Sequence, residues 1–189
     1  YETLGKGAIA STLEYADDER ATLKGLTLLT SKPVIYVVNV SESSAADPNW
    51  VSPLGSNRRA IPISIKLESD LVDLPKEEQR EYLDAMGLKQ TALDRLIRAG
   101  FEMLDLITFF TAGEMEARAW PVTRGTKAPQ AAGTIHTDFE KTFIRAEVIP
   151  ADVFIALGRV GAREAGKERI EGKDYEVKDG DVCYFRVGA

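Results

Sequence analysis

Hydrophobic residues recur along the early part of the chain in a pattern that predicts a helix followed by a buried strand. Leu23, Leu26 and Leu29 are spaced three residues apart, which predicts a helix over residues 17–30 with one apolar face. Residues 34–38 form a continuous apolar run without alternation. Such a run is typical of a strand that is covered on both faces of a parallel sheet.

The segments that follow predict a loop, a second strand and two further helices. Residues 43–60 are rich in Ser, Pro, Asn and Gly, as loops are. Residues 61–66 predict a short strand, in which Pro62 favours an edge position or a strand start. Residues 75–87, with Pro near the start and Gly at the end, predict a helix, as do the strongly amphipathic residues 91–106. This order of helices and strands predicts a wound α/β fold.

The character of the chain changes near residue 105, where short β-rich segments replace the long helices. Residues 151–167 predict a helix that is broken by glycines, and residues 125–133 predict a turn. The predicted strands are residues 107–111, 116–122, 143–149, 174–177 and 181–187. Together these elements predict a compact α+β module of about 85 residues.

The composition is that of an ordinary globular protein. Hydrophobic residues make up 44% of the 189 residues, and the formal net charge is −6. A net negative charge gives no general attraction to nucleic acid or anionic membranes. Binding to either therefore requires a local patch of basic residues. Cys183 is the single cysteine, and no apolar run approaches the roughly 20 residues of a membrane span. We expect a cytoplasmic, monomeric protein without a membrane partner; a chain that begins with Tyr1 rather than Met suits a fragment or a processed protein.

The buried strand runs directly into the polar tetrapeptide Asn39-Val40-Ser41-Glu42. Ligands of open α/β sheets bind just beyond the carboxyl ends of strands, so these side chains are candidate ligand contacts. In P-loop GTPases the equivalent strand ends in Asn-Lys-x-Asp, whose Asp accepts from the two guanine N–H groups. Taken alone, the four residues favour a simpler interpretation, a turn with a solvated Glu42.

The second half of the chain provides a much more specific signal. Its sequence closely resembles the C-terminal region of the YchF family, also called Obg-like ATPases, in the stretch FFTAGEMEARAWPVTRGTKAPQAAGTIHTDFEKTFIRAEVI. The resemblance spans Leu23 to Phe185 and also includes LLTSKPVIYVVNVSE, IPISIKLE and GKDYEVKDGDVCYFR. The ordered motifs RAW, RGTKAPQAAG and IHTDFEK are too long to match by chance.

The resemblance implies a domain organisation. Residues 1–30 resemble the end of a helical insertion, and residues 31–104 resemble the C-terminal part of a P-loop nucleotide-binding domain. Residues 105–189 resemble a TGS domain, a small ubiquitin-like β-grasp fold. The expected fold class is therefore a partial α/β nucleotide domain followed by an α+β TGS domain.

The resemblance also implies a nucleotide site with a preference for ATP over GTP. Asn39 and the Val40 backbone are expected to line adenine, and Ser64-Ile65-Lys66 matches a second base-contacting loop. Ile65 departs from the small residue that usually follows this Ser. The expected nucleotide-binding residues are Asn39, Val40, Ser41, Glu42, Ser64, Ile65 and Lys66.

The 189 residues contain no G-x-x-x-x-G-K-[ST] phosphate loop. Gly5-Lys6-Gly7 is a poor candidate, because Gly7 stands where a Ser or Thr must hold Mg²⁺. We therefore expect the family's full-length proteins to hydrolyse ATP, and GTP more weakly, with Mg²⁺. The chain alone is expected to have no catalytic residues and no hydrolytic activity.

The resemblance implies that the TGS domain binds ribosomes or ribosomal RNA, and five residues are candidates for phosphate and stacking contacts: Arg118, Trp120, Arg124, Lys127 and Arg145. Residues 105–189 carry 12 Lys and Arg against 14 Asp and Glu, so solvated charges are an equally good interpretation. The single His136 and the single Cys183 are expected to be structural, and they exclude a His/Cys zinc site. The alternative function is a stand-alone TGS binding module without NTPase activity.

Overall fold

The chain divides into two compact units, Tyr1–Met103 and Leu104–Ala189. The computed structural model describes residues 5–16, 19, 22–23, 25–55, 58–113 and 116–188. The helix predicted over residues 17–30 lies partly outside the described residues. Its predicted end forms a short 3₁₀ helix, Leu29–Ser31, instead of a continued α-helix.

The first unit contains two parallel strands whose carboxyl ends lie side by side. The strands are β1 (Tyr36–Asn39) and β2 (Ala60–Ile63), and they pair in parallel with Asn39 opposite Ile63. The bond from Val40 N–H to the Ile63 carbonyl, 2.8 Å, continues the pairing one residue beyond β1. The polar residues that follow each strand are therefore brought side by side.

The strand predicted over residues 34–38 is displaced and less buried than expected. It begins at Tyr36, and Val37 keeps 44% of its surface exposed. The prediction of a strand covered on both faces is wrong for this unit, because the described residues supply only two strands to the sheet. Its apolar faces consequently lack full cover.

Among the described residues of this unit, one helix follows β1 and three follow β2. They are α1 (Glu42–Ala46), α2 (Ile65–Val72), α3 (Lys76–Ala85) and α4 (Ala92–Met103). The two helices predicted over residues 75–87 and 91–106 are confirmed as α3 and α4. The prediction of a strand over residues 61–66 is wrong beyond Ile63, because the Ser64 hydroxyl accepts from Leu67 N–H and starts a helix there.

A carboxylate on α2 accepts hydrogen bonds from the start of α4. Glu68 on α2 accepts hydrogen bonds from the Ala92 and Leu93 backbone N–H groups at 2.7 and 3.4 Å. These donors belong to the first turn of α4, where a helix has no internal acceptors and favours negative charge. Leu67 and Leu71 of α2 pack with Leu83 of α3 in a small apolar cluster.

The second unit is built on five strands: β3 (Leu106–Ala112), β4 (Ala117–Thr123), β5 (Phe143–Pro150), β6 (Arg169–Glu171) and β7 (Asp181–Val187). They form one sheet with the order β4-β3-β7-β5-β6. Strands β3 and β4 are an antiparallel hairpin, β3 pairs in parallel with β7, and β5 pairs antiparallel with both β7 and β6.

Three helices complete this unit: α5 (Ala128–Ile135), α6 (Thr137–Lys141) and α7 (Ala151–Glu164). The turn predicted over residues 125–133 is wrong, since most of it forms α5. Small residues let α5 lie close to the sheet, so that Ala131 and Ala132 are fully buried in the core around Phe109. A Cβ at Gly133 would come within 2.8 Å of Glu140 Oε2, so Gly also allows α5 to approach α6.

Of two further predictions for the second unit, one strand is largely absent and one helix break is confirmed. The strand predicted over residues 174–177 is reduced to one bridge between Glu176 and Lys127, and β6 was not predicted. The break predicted in residues 151–167 is confirmed, because Gly158 interrupts α7 with a φ of 65°. In the part of the chain that the structure describes, no helix is long and apolar enough to cross a membrane.

Candidate functional site

The carboxyl ends of β1 and β2 border an open pocket of about 570 Å³. Because the two strands are parallel, the residues that follow them face the same space. The pocket is lined by Asn39, Val40, Ser41, Glu42, Ser43, Ser64, Lys66 and Met86. A concave site with a few convergent polar groups is a typical small-molecule site.

Asn39 connects the two loops of the pocket. Its Oδ1 atom accepts a hydrogen bond from the Ile65 backbone N–H at 3.2 Å. This N–H belongs to the first residue of α2 and has no acceptor within the helix. The Asn39 side chain therefore fixes the start of α2 against the end of β1.

Two serines set the conformations of these loops. Ser41 caps α1, and its Oγ accepts from Ser44 N–H at 3.3 Å. Ser64 caps α2 in the same way, with only 3% of its surface exposed. Each hydroxyl satisfies a backbone donor at a helix start, so each loop is fixed to the helix that follows it.

Glu42 and Lys66 form an ion pair across the pocket. The Lys66 Nζ atom lies 2.8 Å from Glu42 Oε1, and the two side chains are 78% and 29% exposed. The hydrogen bond to Glu42, with its negative charge, raises the pKa of the Lys66 ammonium. One carboxylate oxygen is thereby engaged by a cation before any ligand arrives.

The structure brings together six of the seven residues that the sequence assigns to the nucleotide pocket. Ile65 is the exception, because its side chain is 57% exposed and does not line the pocket, although its N–H bonds to Asn39. Ser43 and Met86 line the pocket and were not predicted. Met86 follows α3, and no motif in the sequence signals that a residue so distant from both loops would reach them.

The residues predicted to contact RNA each have a partner within the second unit. The Arg118 guanidinium stacks over Trp120 at 4.2 Å, and Arg124 pairs with Asp105 at 3.1 Å. Lys127 pairs with Asp174 at 2.9 Å. The hydrogen bond in this pair raises the pKa of Lys127 and lowers the pKa of Asp174.

These five residues do not form one surface. Arg118 lies near the beginning of β4, and Arg124 follows its other end. Arg145 lies on β5, which is separated from β4 by β3 and β7. There it pairs with Glu147 at 3.1 Å, within a different group of charges.

His136 and Cys183 have structural surroundings. His136 Nδ1 accepts from Asp138 N–H at 3.2 Å and so caps α6. Cys183 is 1% exposed in the core, and burial raises the pKa of its thiol. Among the described residues, no group of three or more His, Cys, Asp or Glu side chains is arranged to hold a metal ion.

Comparison with known proteins identifies the family to which the sequence is similar. Residues 106–188 match the family model YchF-GTPase_C, which is described as a protein of unknown function (DUF933). The chain is 45% identical over 186 residues to the ribosome-binding ATPase YchF of Bacillus subtilis, which covers 94% of this chain and 51% of that protein. The chain belongs to the YchF family of Obg-like ATPases. This membership confirms the resemblance noted in the sequence.

Relatives from other organisms extend this similarity. Obg-like ATPase 1 of Rattus norvegicus is 45% identical over 183 residues, covering 92% of this chain and 46% of that protein. The structure of the Schizosaccharomyces pombe YchF GTPase superposes with a TM-score of 0.77 at 34% identity, over 93% of this chain and 49% of the other. The α/β fold therefore matches that of a YchF GTPase.

The chain spans about half the length of the curated YchF relatives that it matches, and the matched half is their C-terminal portion. These two curated relatives are named as ATPases.

Proposed function

We propose that the first unit provides the base-contacting part of an adenine-nucleotide pocket, in the C-terminal portion of a YchF-type ATPase. One observation carries this proposal. Asn39 and Glu42 from the end of β1, together with Ser64 and Lys66 from the end of β2, line one pocket at the carboxyl edge of two parallel strands. Nucleotides of α/β proteins bind at such an edge.

The chemistry of this pocket suits adenine better than guanine. Guanine presents two N–H donors, which a free carboxylate grips strongly. Here the Glu42 carboxylate is already paired with Lys66, so it offers guanine a weaker acceptor. Adenine presents an acceptor at N1 and a 6-amino donor, and it does not need a free carboxylate. The Asn39 amide and the backbone beside Val40 remain at the pocket wall to orient it.

The pocket supplies base contacts, and the chain supplies no phosphate loop. Cleavage of ATP depends on a phosphate loop, its Lys and Mg²⁺ to position and neutralise the phosphates. Lys6 is followed by Gly7 rather than by Ser or Thr, so this segment does not fit Mg²⁺. The 189-residue chain on its own is therefore proposed to bind adenine nucleosides weakly and to leave ATP uncleaved.

The second unit is proposed to be a TGS-type β-grasp domain that contacts the ribosome or its RNA. The five-stranded sheet packed against α5 supports the fold assignment. The name of the Bacillus subtilis relative, a ribosome-binding ATPase, supports the partner. We place this activity in the cytoplasm, with the chain as a monomer; the buried thiol of Cys183 is compatible with such a reducing compartment.

A titration of the 189-residue chain with adenosine, followed by backbone amide chemical shifts, tests the nucleotide proposal. Adenosine should shift the amides of Val40, Ser41 and Ile65, and guanosine should shift them less at the same concentration. The Ser69→Ala variant, in the middle of α2, is a matched control that should bind as the wild type does. Equal shifts with both nucleosides, or shifts confined to the second unit, would leave only the function of a stand-alone binding module.

A further inference from the structure

The second unit carries a group of arginines that the sequence does not place together. Arg145 on β5 lies directly opposite Arg186 on β7, and Glu147 follows two residues later on the same face. Both guanidinium groups bond to the Glu147 carboxylate, at 3.1 Å from Arg145 and 3.0 Å from Arg186. Arg159 reaches it from α7 at 2.7 Å and stacks over Tyr184 at 3.7 Å.

A fourth arginine joins through a second carboxylate. Glu168 accepts from Arg159 Nε at 3.2 Å and lies 3.9 Å from Arg163 Nε. Arg145, Arg159, Arg163 and Arg186 are referred to below as the arginine cluster. Three of its members, Arg159, Arg163 and Arg186, line an open pocket of about 660 Å³ together with Val160 and Glu164.

The cluster places positive charge outside and negative charge inside. The side chains of Glu147 and Glu168 are only 9% and 11% exposed, whereas those of Arg163 and Arg186 are 80% and 53% exposed. Bonds from Arg186 and the other arginines hold the pKa of Glu147 below its usual range. Even with the exposed Glu164 counted, the four arginines outnumber the carboxylates, so solvent meets a cationic surface on an acidic unit.

The buried carboxylates also orient the arginines for a further acceptor. The bonds to Glu147 use the Nε and Nη2 atoms of Arg145 and Arg186. Within residues 116–188 of the structure, no hydrogen bond occupies the Nη1 groups of these two side chains. A guanidinium held by one carboxylate keeps its planar fork for a second oxyanion, and it loses little freedom on binding.

We infer that the arginine cluster is the surface through which the second unit binds the phosphodiester backbone of RNA. The inference rests on the proposed ribosome contact and gives it a location. Phosphate groups match the guanidinium fork in a bidentate manner, and a planar Arg159 on Tyr184 extends a flat platform suited to a sugar-phosphate chain. The unit as a whole is acidic, so attraction has to come from this local surface rather than from net charge.

The test compares matched single-charge variants in the complete chain. Arg163→Gln removes the most exposed cluster arginine without touching Glu147, and Arg98→Gln removes an exposed arginine of α4 in the first unit, outside the cluster. Binding of a fluorescein-labelled RNA hairpin is measured by anisotropy between about 50 and 200 mM salt. Arg163→Gln should weaken binding about three- to tenfold and lower the salt slope by about 1, with Arg98→Gln unchanged.

Two further variants separate geometry from charge. Arg186→Lys keeps the charge and loses the fork, so it should bind RNA more weakly than wild type but more tightly than Arg186→Gln. Thermal melting of each variant shows that the fold is retained. If wild type binds RNA and every cluster variant binds it equally strongly, the proposed location is wrong but the ribosome proposal stands. If wild type binds no RNA, the ribosome proposal is wrong as well. Tighter binding of a fluorescent polyglutamate than of the hairpin would identify an acidic protein as the partner and also overturn it.

Discussion

Lys66 neutralises Glu42 within the pocket at the end of β1, with 2.8 Å between Nζ and Oε1. The two residues come from different loops, and the pocket brings them together only because β1 and β2 run parallel. This pair gives a physical reason for the proposed preference for adenine over guanine. The acceptor that would recognise guanine is present, but its charge is satisfied by a neighbour.

Removing the lysine should release the carboxylate. In Lys66→Met, Glu42 becomes free to accept from the two guanine N–H groups, and a charged hydrogen bond of this kind corresponds to about a tenfold gain in affinity. The ratio of guanosine to adenosine affinity should rise by that factor in amide-shift titrations. Lys66→Arg retains the ion pair and is the control. An unchanged ratio in Lys66→Met would remove Glu42 from base recognition.

Asn39 should control the mobility of the second loop. In Asn39→Ala the Ile65 N–H loses its acceptor, and the loss of such a hydrogen bond costs about 0.5–1.5 kcal/mol locally. Amide hydrogen exchange at Ile65 should accelerate about tenfold, while exchange in β5 stays the same. Asn39→Asp keeps an acceptor oxygen and should preserve protection. Unaltered exchange in Asn39→Ala would show that the start of α2 is held by other contacts.

Glu147 should stabilise the second unit in a pH-dependent manner. Its folded-state pKa lies below the ordinary value of about 4.3, because Arg186 bonds to the ionised form. The stabilisation is therefore complete above the unfolded-state pKa and is lost as the pH falls through the lowered folded-state pKa.

The corresponding measurement is urea unfolding of wild type and Glu147→Gln at several pH values. At neutral pH the variant should be less stable by about 1.5–3 kcal/mol, and this difference should shrink as the pH falls below about 4. Glu171→Gln, which removes a single longer ion pair at 3.6 Å, should have a much smaller effect. A difference between wild type and Glu147→Gln that stays constant down to acidic pH would contradict the ionised, bonded state of this carboxylate.

Phe109 should dominate the core of the second unit. It is fully buried and packs edge-on against Phe185, with ring centroids 5.8 Å apart. Phe109→Ala should lower the free energy of unfolding by about 3–5 kcal/mol, because a buried ring leaves a cavity. The loss is measured by hydrogen exchange of the β5 and β7 amides, which report on this unit alone.

The neighbouring Phe110 provides the control for that experiment. It lies on the opposite face of β3 and is only partly buried, so Phe110→Ala should cost less. Equal losses for the two variants would mean that the core does not lie on the Phe109 face of the sheet.

Local signals along the chain predicted two helices of the first unit. Helix α4 was predicted because its apolar residues recur at helical spacing, and α3 was predicted because Pro75 and Gly87 mark its ends. Helix α5 was missed because its buried face consists of alanines, with Pro129 near its start and Gly133 near its end. Small residues give a weak periodic signal, although here they allow the close packing of the helix on the sheet.

The candidate pocket was predictable only in part, for a similar reason. Asn39 and Glu42 belong to one tetrapeptide, and Ser64 and Lys66 to another, so a family motif identified them. The ion pair between Glu42 and Lys66 depends on strand pairing between segments 24 residues apart. Spacing along the chain therefore does not reveal it, and the same holds for the arginine cluster, which gathers residues from two strands and a helix.

A crystal structure of the chain with adenosine shows whether an adenine base binds at the end of β1. We expect electron density for the purine ring against Asn39 and the Val40 backbone, with Ser64 and Lys66 on the opposite wall. We also expect guanosine under the same conditions to give weaker density there. Adenosine ordered at another surface, with the pocket beside Asn39 containing only solvent at saturating nucleoside, would contradict a base site at the end of β1.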